Sequence, residues 1–321
     1  MLSVNERALA ISRQLAGAAE AYGVAVLDYE NGVTVIDCGI EAVGSLEAGR
    51  LFSEVCLGGL GGVQLRELHL DGLVTPGVEV SVSHPVVACM ASQYAGWAVK
   101  APKTEDSKSY FAMGSGPARA LYRGDPIFSS IDYRDPADVA VLTLESGTLP
   151  PAAVTELIAG KCGVSPDRLH LLMAPTACTV GSVQVAARIV ETGIHKMHEV
   201  GFDIGTVRSG FGSCPLAPVA ADDLTAIGRT NDGVLYGGRA WYTVQTDDDR
   251  LESVIEQLPS SSSKDYGTTF GELFRRYDHD FYKIDPLLFS PAEVTVTNLT
   301  SGRTFRAGGV NPEVLRQSFF A

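Results

Sequence analysis

Apolar and polar positions along this chain switch between two periods, and the switches mark its elements. Residues 5–22 repeat apolar side chains at helical spacing (Leu9, Ile11, Leu15, Ala18, Ala19), with Asn5 placed to cap the start. Residues 24–27 and 33–38 are β-rich runs around Tyr29-Glu30-Asn31-Gly32, and Asn-Gly between two such runs predicts a hairpin. Residues 78–82 alternate as a strand, 85–96 read as a short apolar helix, and the polar stretch 100–109 reads as an exposed loop. Residues 139–144 and 169–174 predict buried strands, 151–162 a helix stopped by Gly163, and 179–200 one long helix. Two strands are expected within 234–244 about Gly237-Gly238, then a helix over 250–258 and a solvated loop at 260–263. Residues 292–298 and 304–307 predict a hairpin about Ser301-Gly302, followed by a helix from Pro312. No internal repeat is visible.

Strands and helices mix without a strict βαβ rhythm, which disfavours both a TIM barrel and a Rossmann sheet. The expected fold is α/β with α+β-like mixed sheets in two domains. Residues 1–105 with 283–321 would form the first, the C-terminal hairpin pairing near the N-terminal one. Residues 106–282 would form the second and carry the 179–200 helix. Over 321 residues the net charge is −13, from 38 acidic and 25 basic side chains, which argues against nucleic acid or an anionic membrane as partner. No apolar run reaches the roughly 18 residues of a membrane span, and the N-terminus lacks a basic head before an apolar core. A cytoplasmic protein is expected. The six cysteines form no CxxC pair, so buried reduced thiols are expected rather than a zinc cage.

The 179–200 segment is the most informative. At 100° per residue Gln184, Arg188, Glu191, His195 and His198 share one stripe, and apolar side chains fill the opposite arc. Arg188 and Glu191, three apart, meet on that stripe either as an ordinary surface ion pair or as groups lining a wet cleft. His195 and His198 without a third ligand make a poor metal site. A second candidate is Gly114-Ser115-Gly116-Pro117, whose backbone N–H groups could converge into an anion nest with Arg119 adding charge; a tight strand-to-helix turn explains it equally. Asn231 and Asp232 could offer an amide and a carboxylate to a heterocycle, or simply serve a turn. Asp222-Asp223 signals a helix start.

Taken in order, several segments resemble the methenyltetrahydromethanopterin cyclohydrolase family nearly end to end. They are Gly32-Val-Thr-Val-Ile-Asp-Cys-Gly39, Ala48-Gly-Arg-Leu-Phe-Ser-Glu-Val-Cys56, Tyr110-Phe-Ala-Met-Gly-Ser-Gly-Pro-Ala-Arg119, Ala174-Pro-Thr-Ala177 and Ala187-Arg-Ile-Val-Glu-Thr-Gly193. Ala217-Pro-Val219, Gly228-Arg-Thr-Asn-Asp232, Leu235-Tyr-Gly-Gly238 and Asp280-Phe-Tyr-Lys-Ile-Asp-Pro286 continue the series. The polar stretch 100–109 resembles an insertion beside the archaeal pattern, which would mark a bacterial, methylotroph-type member.

The resemblance implies two α/β domains with the active-site cleft between them, assembled as a homotrimer. It implies reversible hydrolysis of the methenyl bridge of a tetrahydromethanopterin to the N5-formyl form, without metal or redox cofactor, in formaldehyde oxidation or methanogenesis. The family's R-x-x-E pair falls on Arg188 and Glu191. Glu191 would act as general base on water, its basicity raised by burial and lowered by Arg188. The substrate is anionic, so the 114–117 nest and Arg119 are its candidate anion site. Three other readings stay open: a cysteine-dependent formyl or acyl transferase using Cys56 or Cys178, a non-catalytic pterin-binding protein, and a structural oligomer.

Overall fold

The computed structural model describes residues 2–103, 109–278, 280 and 283–320. It divides into two compact units, Met1–Gly61 with Val87–Gln184, and Gly62–Val86 with Val185–Ala321. This division differs from the expected 1–105 plus 283–321 and 106–282, and strand pairing explains the difference. The C-terminal hairpin joins a sheet of the second unit, whereas the N-terminal hairpin belongs to the first. Of the expected 100–109 loop, Lys100 and Ala101 end a strand, and residues 104–108 lie outside the described residues.

The first unit is a six-stranded sheet in the order β1 (Ala25–Asp28), β2 (Thr34–Asp37), β8 (Leu169–Ala174), β7 (Ala140–Glu145), β6 (Tyr110–Ser115), β5 (Trp97–Ala101). The three central strands β2, β8 and β7 run parallel, and the edges are antiparallel. Alternation along β8 buries both faces. Leu169, Leu171 and Met173 pack with Val154 and Ile158 of α5 (Ala152–Cys162). Leu172 and Ala174 pack with Leu9 and Leu15 of α1 (Val4–Gly17) and with Leu51, Phe52 and Val55 of α3 (Leu46–Cys56). Short helices α2 (Ala19–Tyr22) and α4 (Arg119–Tyr122) and an eight-residue π-helical segment, Val86–Gln93, complete the layers. Ser3 rather than Asn5 caps α1, its Oγ accepting from the Glu6 N–H at 3.1 Å. Asn5 is fully buried instead, donating to the Pro117 carbonyl and accepting from the Val141 N–H.

The second unit holds the sheet β12 (Thr304–Gly308), β11 (Glu293–Asn298), β10 (Arg239–Val244), β9 (Val207–Pro215), β4 (Leu73–Val82), β3 (Gly61–Leu70). The expected hairpin around Ser301-Gly302 is present, and β11 also pairs parallel with β10. Asp71 and Gly72 join β3 to β4 with φ of 44° and 83°, the geometry a tight Asp-Gly hairpin turn requires. The two strands expected within 234–244 reduce to one. Residues 233–237 continue α8 (Asp223–Asp232) as a π-helical turn, and only β10 follows. Val234, Leu235 and Tyr236 are almost wholly buried, and a short buried run carries no periodicity to separate helix from strand. Beside α8, α10 (Phe270–Arg276) and α11 (Pro312–Phe320) close an apolar cluster around Phe270, Leu315 and Phe319, and α9 (Asp248–Val254) follows β10.

The expected 179–200 helix is two helices, α6 (Thr179–Ala186) and α7 (Ile189–Glu199), interrupted at Ala187 and Arg188. The chain passes from the first unit to the second inside α6, after Gln184. α7 lies against β9 and β10, where glycines leave the sheet without side chains. A Cβ on Gly212 would stand 2.7 Å from Ile189 Cγ2, and one on Gly210 would stand 2.5 Å from Val190 Cγ1. Tyr242 of β10 donates its hydroxyl to the Val190 carbonyl at 2.9 Å, through a gap that Gly193 keeps open. Among the described residues no helix is long and apolar enough to cross a membrane.

Gly193→Ala should therefore lower stability by about 1–3 kcal/mol, the usual cost of overpacking, because the added methyl overlaps the Tyr242 hydroxyl. Combining it with Tyr242→Phe should recover part of that loss. Chemical denaturation of both single variants and the double variant measures this, and purely additive losses would refute the contact.

Candidate functional site

The interruption between α6 and α7 creates the position of the Arg188–Glu191 pair. The Arg188 N–H bonds back to the Val185 carbonyl at 3.1 Å, tightening the end of α6, while its own carbonyl accepts from the Thr192 N–H at 2.9 Å and opens α7. With φ −79° and ψ 1°, Arg188 is the N-cap residue of α7, and its side chain makes no capping bond. An arginine there breaks two local rules: it is not a capping side chain, and it places a cation at the positive end of a helix. Glu191, at the third position of α7, suits the same dipole. It is only 4% exposed. N-cap and third position lie on the same side of a first helical turn, so the helix start places Arg188 and Glu191 as neighbours along it. Departures from local preference of this kind concentrate where function demands them.

The rest of the expected polar stripe separates. Gln184 is buried in α6 and donates to Glu145. His195 Nε2 lies 3.6 Å from Glu199 Oε1, and burial holds its imidazole pKa below the ordinary value. Among the described residues no three His, Cys, Asp or Glu side chains gather in a form that could hold a metal ion. Lys196, which periodicity placed nowhere in particular, is buried against the Ser262 hydroxyl and the Leu287 carbonyl, and burial pushes its amine down to about 8.

The groups of the expected anion nest are spent on the fold. Gly114 lies inside β6, paired with Trp97 and Leu144, and Ser115 is buried in hydrogen bonds to Thr143 and Cys56. Gly116, at φ +102°, turns the chain toward α4, and its N–H donates to the Ser92 carbonyl at 2.8 Å; the Ala118 N–H is likewise bonded to Val141. Arg119 is fully buried. Its Nε and Nη2 hold Asp125 at 2.7 and 2.6 Å, its Nη1 reaches the Met90 and Ser92 carbonyls, and the rings of Tyr94 and Phe128 flank it. Of the two readings of this motif, the strand-to-helix turn describes the structure.

Asn231 and Asp232 also point inward. Asn231 Nδ2 bonds the Ile227 carbonyl of its own helix at 2.8 Å. Asp232 accepts from the Phe270 N–H at 2.7 Å and the Ser318 hydroxyl at 2.6 Å, tying α8 to α10 and α11. It borders a cavity of about 450 Å³ that Leu224, Gly228, Arg229, Arg275 and Gln317 also line. Burial raises its carboxyl to about 7 against the two hydrogen bonds that favour ionisation. Both candidate cysteines are covered: Cys56 at 1% exposure bonds Thr143, and Cys178 at 8% bonds the Pro175 carbonyl.

Reading by periodicity passed over the carboxyl ends of the parallel strands in the first unit, where open α/β sheets commonly bind ligands. Asp37 ends β2 and is saturated by the N–H groups of Gly39, Ile40, Glu41 and Ala42, which keep its pKa below the ordinary value despite burial. Glu145 ends β7, one oxygen held by Thr176 Oγ1 at 2.5 Å and the other by Gln184 Nε2 at 3.0 Å. The only sequence signal for this group is an acidic residue closing an apolar strand.

Taken together, the two mixed sheets define an α/β protein whose clearest candidate chemistry is the acid–base pair at the start of α7. The family model described as Cyclohydrolase (MCH) matches residues 3–319. The methenyltetrahydromethanopterin cyclohydrolase of Methanocaldococcus jannaschii is 47% identical over 323 residues, covering 99% of this chain and 98% of its own. Those of Methanospirillum hungatei (44% over 320 residues, 99% of each chain) and Methanosarcina barkeri (43% over 322 residues, 99% and 98%) are similar throughout. The chain belongs to the MCH cyclohydrolase family.

The elevated Asp232 carboxyl makes a signed prediction. With a folded value near 7 and an unfolded value near 4, its favourable contribution is complete below about pH 4 and lost as pH rises through 7. Asp232→Asn keeps an acceptor for Phe270 without that titration. Its melting temperature relative to wild type should rise between pH 5 and pH 8; a difference independent of pH would refute the burial argument.

Proposed function

We propose that this protein catalyses the reversible hydrolysis of 5,10-methenyl-tetrahydromethanopterin to N5-formyl-tetrahydromethanopterin, a step of one-carbon metabolism. The observation that carries the reading is the Arg188–Glu191 pair at the start of α7, in a chain similar along its whole length to relatives of that name. A methenyl bridge is an amidinium-like carbon, already electrophilic between two nitrogens, so a positioned water and a base suffice for its hydrolysis. Glu191 takes a proton as the water oxygen bonds to that carbon, and returns it to N10 as the C–N10 bond breaks. The adduct's hydroxyl proton leaves as the formyl C=O forms. The cationic methenyl centre and water thus give a neutral formyl group and one proton. Arg188 orients the carboxylate and tunes its basicity.

Burial of Glu191 supports this role, because a carboxylate shielded from bulk water can hold a single reacting water in place. Neither metal nor redox cofactor enters the proposed chemistry. A homotrimer in the cytoplasm is part of the same proposal, on the strength of the family resemblance, and light scattering of purified protein tests the assembly.

The central test follows loss of the methenyl chromophore in the near ultraviolet. Glu191→Gln should lower kcat by about 100- to 10,000-fold, the usual contribution of a general base, with KM little changed. Arg188→Ala should also lose most of the rate, and a chelator should leave wild type unaffected. Wild-type turnover in Glu191→Gln would reject the assignment.

A further inference from the structure

The proposed hydrolysis releases one proton in each turnover, and Glu191, the base that takes it, is almost wholly buried. A buried carboxyl group is a base again only after that proton has reached water. α7 carries a graded path for it. Glu191, His195 and Glu199 recur every four residues, so they follow one another along one face of the helix with Cβ atoms about 5–6 Å apart. Side-chain exposure then rises outward, from 21% at His195 to 38% at Glu199, and His195 Nε2 lies 3.6 Å from Glu199 Oε1. Burial holds the imidazole below its ordinary pKa, which leaves the ring neutral and able to accept a proton at pH 7. Glu199 favours the imidazolium and His198 opposes it. The strand positions beneath α7, namely Val80 and Val82 of β4, Gly210 and Gly212 of β9, and Ala240 and Tyr242 of β10, bring no charged side chain, and the Tyr242 phenol is bonded to Val190. Asp203 and Arg208, where the chain leaves α7 and enters β9, are each bonded to Gly205. Asp285, whose charge acts on Lys196, accepts from Ser263 and Leu287.

We propose that His195 and Glu199 form a relay that carries the released proton from Glu191 along α7 to solvent. The relay rests on the reading under Proposed function, which supplies the proton. Once Glu191 has given its first proton to N10, its carboxylate takes the adduct's hydroxyl proton as the formyl C=O forms. The O–H bond on Glu191 then breaks as an N–H bond forms on the imidazole. The imidazolium passes its Nε2 proton to Glu199, which releases it to water, and a turn of the ring resets it. One proton enters this path and one leaves, so all three groups end as they began. The 3.6 Å separation exceeds a hydrogen bond in the neutral state and closes when the ring is charged, because imidazolium and carboxylate attract. His195 acts through Glu191 and has no part in the bond changes at the methenyl carbon.

Steady-state and first-turnover rates separate this role from a structural one. In dilute buffer His195→Gln, polar but unable to titrate, should lower kcat about 100-fold with KM little changed, the low end of what positioned proton transfer contributes. The first turnover after rapid mixing should keep its wild-type rate, since Glu191 begins that cycle deprotonated. Added imidazole should restore the steady-state rate as its concentration rises. Glu199→Gln, at the exposed end, should lose less and respond to imidazole in the same way. Wild-type kcat in folded His195→Gln, or a first turnover slowed as much as later ones with no response to imidazole, overturns the relay. Should His195→Gln not fold, wild-type kcat of Glu199→Gln in dilute buffer overturns it instead. Absence of turnover in the wild type removes the hydrolase reading and the relay together, whereas wild-type turnover with an indifferent His195→Gln removes the relay alone.

Discussion

Because Gly210, Gly212 and Gly238 present no side chain to Ile189 and Val190, the first turn of α7 sits against the bare backbone of β9 and β10. The Tyr242 hydroxyl then fastens the Val190 carbonyl from below. Arg188 and Glu191 bracket these two residues, so the seating of Ile189 and Val190 sets where guanidinium and carboxylate stand. A cation at a helix N-terminus is unfavourable by itself, and a buried glutamate is too. The glycine track keeps that turn seated on the sheet. The same glycines that weaken strand propensity thereby fix the pair's geometry.

The break before Arg188 belongs to the same constraint. A continuous helix would have made Arg188 an interior residue with its N–H bonded four residues back. The bond to Val185 instead tightens α6 and lets α7 start afresh with its own orientation. Glu191 thereby becomes a first-turn residue, at the end of a helix that favours negative charge. A carboxylate gains definition from such a place, because the direction of the backbone holds it.

Local pattern revealed the elements whose periodicity is self-sufficient. The 25–37 hairpin, β7, α5, β8 and the C-terminal hairpin were legible because alternation or helical spacing ends at a glycine or turn. The interruption at Ala187–Arg188 was not, since neither residue is a helix breaker and the cause is packing of the next turn on a distant sheet. The placement of the C-terminal hairpin beside β10 is likewise nonlocal. Glycine served different ends in different places: Gly114 lies within β6 and Gly116 turns the chain toward α4, whereas Gly193 and Gly212 mark the seat of α7. The Arg188–Glu191 spacing was visible in the sequence. Glu145 was not, because its significance rests on which donors reach it from Thr176 and Gln184, residues 31 and 39 positions away.

What separates charges that hold the fold from charges that face chemistry is the balance of partners each has found. Arg119 is wholly buried, yet a carboxylate, two carbonyls and two aromatic faces surround it, so nothing about it calls for a ligand. Asp37 reaches the same balance with backbone N–H groups alone. Asp232 is bonded by two donors but remains under a desolvation penalty, so its proton moves into the neutral range and makes stability depend on pH there. Glu145 has two neutral donors, open lone pairs and partial access to solvent. Burial alone would rank Arg119 first and Glu145 last as candidate ligands, and the tally of satisfied acceptors and donors reverses that order. Unfinished hydrogen bonding, more than burial or sequence motif, therefore separates Glu145 from the charges that hold the fold.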